Sequence, residues 1–197
     1  MRAASPSFGS AIRTIIADAT ARSAGSPQCS VSSTTCLGRT ASNEADREIF
    51  VSRIIEGPRR LVFDAFTSAT QLAQWCGPAG GKITTHAFDF RPGGVWDATI
   101  QGPDGRSYPN HFVWKEIVPP ERIVWLYGSS KDDPHAVPTT VTLVERGATT
   151  EVTLRILFGT KEERDEKVAK YYAAQGAQQS LDQLAAYAAT PAAGGRQ

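Results

Sequence analysis

LVFDAFTSATQLAQWCGP, residues 61–78, is the stretch that decides the fold of this chain, and DFRPGGVW, residues 89–96, supports it. The first half of residues 61–78 has the i, i+1, i+4, i+5 spacing of one buried helical stripe, at Leu61, Val62, Ala65 and Phe66. Ser68 followed by Gln71 has the spacing of a capping box for a second helix, and a Gly-Pro pair then prevents that helix from continuing. The sequence therefore predicts two short helices directly after a first strand.

Strands follow this helical pair. From Lys82 to Phe158, short segments alternate apolar and polar residues and are separated by turn residues such as Gly93-Gly94. Thr160 with Glu163 has the spacing of a capping box and begins a long last helix. This order predicts an α+β fold with a curved antiparallel sheet of six to seven strands, two short helices after the first strand and a long C-terminal helix.

Further segments carry a family resemblance: GPDG at 102–105, EIVPPER at 116–122 and QSLDQL at 179–184. Together with the two stretches above, they resemble the START/Bet v 1-like superfamily, and within it the branch related to the C-terminal domain of the Hsp90 ATPase activator. The resemblance implies a helix-grip fold, in which the sheet wraps around the last helix and encloses a cavity. Trp75-Cys76 stands where members commonly have paired tryptophans, and Gly176-Ala177 where they often have Gly-Trp. Both departures remove a large ring.

The resemblance also divides the chain. Residues 46–190 form the predicted domain, and residues 191–197 a disordered tail. Residues 1–45 are dominated by Ser, Ala, Thr, Gly and Pro, a composition that buries too little apolar surface to offset the entropy of ordering. We interpret them as a disordered or leader segment. Their basic, acid-poor character is also typical of an organellar transit peptide, and a wrongly assigned start codon is a third interpretation.

Composition bounds the partners and the location. The chain has 197 residues with 21 basic and 20 acidic side chains, a balance that favours neither nucleic acid nor an anionic membrane surface as a partner. No apolar run approaches the roughly 20 residues that span a bilayer. Cys29, Cys36 and Cys76 lack the Cys-x-x-Cys spacing of zinc or redox sites. We interpret them as reduced thiols of a cytoplasmic protein.

The sequence offers no clear catalytic or metal-binding pattern. His86, His111 and His135 are far apart, without His-x-x-x-His or His-x-Glu spacing, and each is interpreted as a surface or strand-edge residue. No phosphate-binding loop or dinucleotide fingerprint is present. We therefore predict no catalytic residue, no metal and no cofactor.

Aromatic residues in the strands give the candidate site. Alternation places Trp96, Ala98 and Ile100 on one face of their strand. In the next strand it places a second set of residues on a shared face, namely Tyr108, Asn110, Phe112, Trp114 and Glu116. Large rings facing small helix residues such as Ala177 predict a cavity rather than a packed seam. The candidate ligand-binding residues are Trp75, Trp96, Ile100, Phe112, Trp114, Glu116, Trp125, Ala173 and Ala177.

These observations favour a protein that binds a small, mainly apolar molecule between the sheet and the last helix, for carriage, sequestration or a stress response. One alternative is an enzyme of the polyketide cyclase or hydrolase type, with a buried Glu116 for acid–base chemistry. Another is a module that contacts Hsp90, as the resemblance implies. The chain is also compatible with a homodimer. The fold alone does not decide among these functions.

Deletion of residues 1–44 should leave a folded domain, because their composition predicts no contribution to a core. We expect the shortened chain to unfold cooperatively in denaturant, with a midpoint close to that of the full chain. Limited proteolysis of the full chain should remove this segment first. A shortened chain without a cooperative transition would contradict the prediction.

Overall fold

The computed structural model describes residues 44–102 and 104–190. A 3₁₀ turn, Glu44–Arg47, leads into strand β1, and the elements follow in the order β1 Glu48–Glu56, α1 Arg59–Asp64, α2 Ala69–Trp75, β2 Lys82–Phe88, β3 Val95–Gln101, β4 Ser107–Val118, β5 Arg122–Gly128, β6 Val137–Arg146, β7 Thr149–Leu157, α3 Lys161–Tyr171 and α4 Ala173–Ala188. The predicted tail, and the predicted leader up to residue 43, lie outside the described residues.

The strands form one open antiparallel sheet of seven, in the order β1-β7-β6-β5-β4-β3-β2. The predicted α+β helix-grip fold is confirmed, with two short helices after β1 and a long helix at the C-terminus. Gly147 turns β6 into β7 with a φ of 66°, a left-handed conformation that glycine adopts without strain. The hairpin is tied to the end of β1 because the hydroxyl of Thr150 donates to the carbonyl of Gly57 at 2.9 Å.

The two short helices pack against the sheet through a buried stripe close to the predicted one. Val62, Phe63, Ala65 and Phe66 are buried, whereas Leu61 is only half-buried. The indole of Trp75 at the end of α2 donates to the carbonyl of Ala65 at 3.1 Å, which fixes α2 against α1. The predicted capping role of Ser68 is wrong, because its side chain makes no capping hydrogen bond.

The C-terminal region contains two helices where the capping-box pattern predicted one long helix from Thr160. Tyr172 separates α3 from α4 with a φ of 53°. The sequence carries no signal for this break, since neither glycine nor proline occupies the position. α3 has no buried residue, whereas α4 buries Ala177, Leu181 and Leu184. The helix that packs on the sheet is therefore α4, and it lies mainly over β1.

The predicted cap at the start of α3 is confirmed. The hydroxyl of Thr160 accepts a hydrogen bond from the backbone of Glu163 at 3.1 Å. The carboxylate of Glu163 reaches back and accepts one from the backbone of Gly159, the residue before the cap, at 3.0 Å, so that one orphaned donor of the first turn and one backbone donor just before it are satisfied.

Replacing Thr160→Ala should lower the free energy of unfolding by about 1 kcal/mol, because the first turn of α3 loses its acceptor. The measurement is the urea midpoint of the full chain. Thr160→Ser is the matched control, since it keeps the hydroxyl and should stay close to wild type. Equal midpoints for Thr160→Ala and wild type would show that water replaces the cap without cost.

Candidate ligand-binding face

The inner face of the sheet carries a continuous group of large rings. Trp96 lies opposite Phe112 in the ladder, Phe112 opposite Tyr127, and Trp114 opposite Trp125. Because directly opposed residues point to the same side of a sheet, these five side chains form one surface, which we call the ring face. Trp96 stacks on Phe112 with 4.6 Å between ring centroids, and Trp114 meets Trp125 edge-on at 5.8 Å.

The turn between β2 and β3 extends the ring face. Phe90 packs edge-on against Trp114, with 5.0 Å between centroids. The turn is clipped to β4 by two backbone hydrogen bonds, from Gly93 to the carbonyl of Trp114 at 2.7 Å and from Trp114 to the carbonyl of Gly94 at 3.0 Å. A side chain at Gly94 would collide with the carbonyl of Asp89, so the turn requires glycine there. The DFRPGGVW stretch therefore positions an aromatic ring over the sheet.

The structure distributes the candidate residues over two clusters. Trp75, Trp96, Phe112 and Trp114 are buried in the larger one, with half-buried Trp125 packed against it. Half-buried Ile100 lies beside Gly77, next to the end of α2. The smaller cluster contains Ala177, with Ala173 packed against it. The rings thus belong to one cluster, whereas Ala173 and Ala177 belong to a different one.

Ala177 is itself packed rather than facing a void. Only 7% of it is exposed, and it is clustered with Ile49, Val137 and Phe158. Gly176, the residue before it on α4, is exposed. Two depressions among the described residues, of about 200 and 410 Å³, are lined by none of the candidate residues.

Glu116 does not share the face of Trp114, and this part of the prediction is wrong. A β-bulge lies between the two residues, because Trp114 pairs with Trp125 while Glu116 pairs with Val124. The extra residue, Lys115, shifts the alternation by one position. Glu116 therefore points outward, forms an ion pair with Arg122, and keeps 44% of its side chain exposed.

Polar groups accompany the rings, and they include buried Asn110 and more exposed Tyr127. The hydroxyl of Tyr127 donates to the side-chain oxygen of Asn110 at 2.7 Å, and the amide of Asn110 donates to the carbonyl of Tyr108 at 2.7 Å. Burial raises the pKa of Tyr127, and the nearby Cys76 and Asp133 raise it further, so that the hydroxyl stays protonated. The indole nitrogen of Trp114 is buried without a hydrogen-bond partner among the described residues. Asn110 was not among the candidate residues, although strand alternation had placed it on this face.

Cys76 follows Trp75 at the position where the resemblance implies a second tryptophan. Burial raises the pKa of its thiol to about 12, although the backbone of Gly77 hydrogen-bonds the sulfur and opposes that effect. The thiol is therefore neutral at physiological pH and a poor nucleophile. Cys76 forms no disulfide within residues 44–102 and 104–190.

Two other kinds of function find no support in residues 44–102 and 104–190. No group of three or more His, Cys, Asp or Glu side chains in this part of the chain is arranged to hold a metal ion. Nor does this part contain a helix that is long and apolar enough to cross a membrane.

Comparison with known proteins supports the family and the fold. Residues 56–189 match the family described as Activator of Hsp90 ATPase homolog 1-like protein. Among solved structures, a protein from Nitrosomonas europaea is 21% identical, with a TM-score of 0.65, and the match covers 74% of this chain and 96% of that one. One from Arthrobacter aurescens is 20% identical, with a TM-score of 0.67 and coverage of 77% and 91%. One from Chromobacterium violaceum is 26% identical, with a TM-score of 0.61 and coverage of 71% and 95%. No curated protein matches the sequence.

Cys76 should react slowly with iodoacetamide in the folded protein, because its raised pKa suppresses the thiolate. With Cys29→Ser and Cys36→Ser, it becomes the single thiol of the chain. At pH 9 we expect at least about a tenfold lower rate than in 6 M guanidinium chloride, where the thiol regains an ordinary pKa. Because the folded pKa is the higher one, the native rate should keep rising above pH 10, after the unfolded rate has levelled. Similar native and denatured rates at pH 9 would contradict the burial of this thiol.

Proposed function

This chain belongs to the Activator of Hsp90 ATPase homolog 1-like protein family, and from that premise we propose that it binds one small, mainly apolar molecule against the ring face, on the side where α4 lies. The observation that carries the proposal is the ring face itself, in which the ring centroid of Phe112 lies 4.6 Å from that of Trp96 and 6.3 Å from that of Trp125. Burying apolar ligand surface against such rings is favourable, at about 25 cal/mol per Å².

The polar groups of this face add a requirement for the ligand. Trp114 has a buried indole N–H without a partner among the described residues, and an unpaired buried donor costs about 1–3 kcal/mol. A ligand oxygen that accepts this hydrogen would remove that cost. The proposed ligand is therefore largely hydrocarbon or aromatic, with one carbonyl, ether or similar acceptor.

Access is best at the end of the ring face that includes Tyr127. That side chain is 39% exposed and Tyr108 is 47% exposed, whereas Trp96 and Trp114 are buried. Because the inner rings touch one another, a ligand must enter at the exposed end and separate rings that are in contact. The site is then a deformable apolar face rather than a preformed cavity.

Other roles have weaker support. An acid–base enzyme of the cyclase or hydrolase type would need a carboxylate on the ring face, and Glu116 points away from it. The family description names an Hsp90 activator, and a protein contact could use the exposed Phe50 and Ile54 on the outer side of edge strand β1. A contact with Hsp90, a homodimer and a cytoplasmic location stay predictions.

The test is a fluorescence titration of the full chain with the neutral apolar dye N-phenyl-1-naphthylamine. Trp125→Leu keeps an apolar side chain at a half-buried position while it removes one ring, and we expect it to weaken dye binding at least about fivefold. Tyr171→Leu is the matched control, because Tyr171 is exposed on α3 and outside the ring face. It should bind the dye like wild type.

Thermal unfolding of each variant separates lost binding from lost folding. Wild-type dye affinity in a folded Trp125→Leu variant, or no saturable dye binding by the wild type, would overturn the proposal. Native mass spectrometry of the purified chain should then identify any co-purified molecule, which we expect to be uncharged and to carry an oxygen acceptor.

A further inference from the structure

A depression of about 410 Å³, which we call the outer-face depression, opens around Asp97 and His111 and is lined mostly by residues with polar side chains. Asp97 and His111 lie directly opposite each other in the β3–β4 ladder, so that both side chains point into the same side of the sheet. Strand alternation separates them from Trp96 and Phe112, the neighbouring pair, which face inward. The lining of the depression is formed by His86, Asp97, Ala98, Thr99, Pro109, Asn110, His111 and Ser129 to Lys131.

The pairing of Asp97 with His111 defines the chemistry at the floor of this depression. The Nδ1 atom of His111 is hydrogen-bonded to the carboxylate of Asp97. A carboxylate only accepts, so in the neutral imidazole the hydrogen sits on Nδ1 and Nε2 is left as an acceptor. The side chain of His111 is 10% exposed, and its Nε2 has no hydrogen-bond partner among the described residues. The prediction that His111 is a surface or strand-edge residue is therefore wrong, and its second nitrogen is a buried acceptor that lacks a donor.

The wall of the depression is an ordered loop. Asp133 accepts hydrogen bonds from the backbone and the hydroxyl of Ser129, at 2.7 and 2.8 Å, and from the backbone of His135 at 2.8 Å. These bonds lower the pKa of Asp133 to about 2, so the carboxylate stays charged and keeps the loop closed on itself. Ser129, Ser130 and Lys131 are thereby held beside His111.

The charges and donors of this lining select a class of ligand. The negative charge of Asp97 and the positive charge of Lys131 balance, which favours a neutral molecule over an ion. Hydroxyl groups come from Ser129, Ser130 and Thr99, the last hydrogen-bonded to Nε2 of His86 at 2.8 Å. A molecule that both donates and accepts at several positions matches such a mixed lining.

We propose that the outer-face depression is a second binding site, which takes a small, neutral, polyhydroxylated molecule that donates a hydroxyl hydrogen to Nε2 of His111. None of the five ring-face side chains lines the depression, although Asn110, which does line it, accepts a hydrogen bond from the hydroxyl of Tyr127. The proposal depends on the Asp97–His111 pair and not on the apolar ligand proposed above.

Isotope-edited NMR of the full chain tests the proposal, with glycerol, myo-inositol and D-ribose as probes. We expect at least one probe to cause saturable shifts in the His111 ring nitrogens and in the amides of Ser129 to Lys131. Cyclohexanol, which has the ring of myo-inositol with one hydroxyl, should bind at least about threefold more weakly, because it cannot match several polar groups at once. Before any addition, Nε2 of His111 should give the signal of an unprotonated nitrogen.

Variants make the result specific. His111→Gln should abolish the saturable shifts, and Lys131→Ala, an exposed substitution that cannot disturb the core, should weaken them at least about threefold. His135→Gln is the matched control, because His135 lies in the same loop but does not line the depression. It should behave like wild type.

Several outcomes would overturn the proposal. The first is the absence of a saturable shift with any probe, which would mean that water alone satisfies Nε2. The second is equal affinity for cyclohexanol and myo-inositol. The third is unchanged binding in both Lys131→Ala and a folded His111→Gln. Binding of inorganic phosphate in preference to the three probes would also overturn it, since the site would then select an anion.

Discussion

The pair of backbone hydrogen bonds between the β2–β3 turn and β4 is the constraint on which the rest of the inner face depends. Two backbone hydrogen bonds join Gly93 and Gly94 to Trp114, and they hold the start of β3 beside the middle of β4. These bonds fix the register in which Trp96 stacks on Phe112. They also hold Phe90 in contact with Trp114. Phe90 in turn meets Phe63 of α1, with 6.4 Å between centroids, so the same turn connects the sheet to its helical cover.

Most of the fold could be predicted from sequence because its signals are local. The period-2 alternation of β6 and β7, the stripe of α1 and the cap at Thr160 each depend on residues within a few positions of one another. The break at Tyr172 could not be predicted, because a tyrosine in a left-handed conformation has no compositional mark. α3 is fixed there by a distant contact, in which Arg164 donates to the carbonyl of Asp46 at 2.8 Å.

The sequence predicts which strand residues of the candidate site share a face better than it predicts which residues surround them. Alternation alone places Phe112 and Trp114 on one face of β4, and the ladder adds Trp96 and Trp125 to that face. It fails beyond Lys115, because a bulge leaves no signature in composition and reverses the face of Glu116. Ala177 marks a second limit, since sequence gives the small size of a residue but not which cluster it joins. The pairing of Asp97 with His111 was invisible for a similar reason, because the two are 14 positions apart and only the ladder brings them together.

The bulge in β4 also bears on how such a chain tolerates changes of length during evolution. In a strand whose two faces carry rings on one side and polar groups on the other, loss of one residue normally exchanges the faces. Lys115 is surplus to the ladder, so a deletion of that single codon would regularise β4 while Trp114 and Ile117 keep their inward orientation. β2 has a similar irregularity between Thr85 and Ala87. Relatives of different strand length can therefore keep the same two faces if their length changes fall at these two positions.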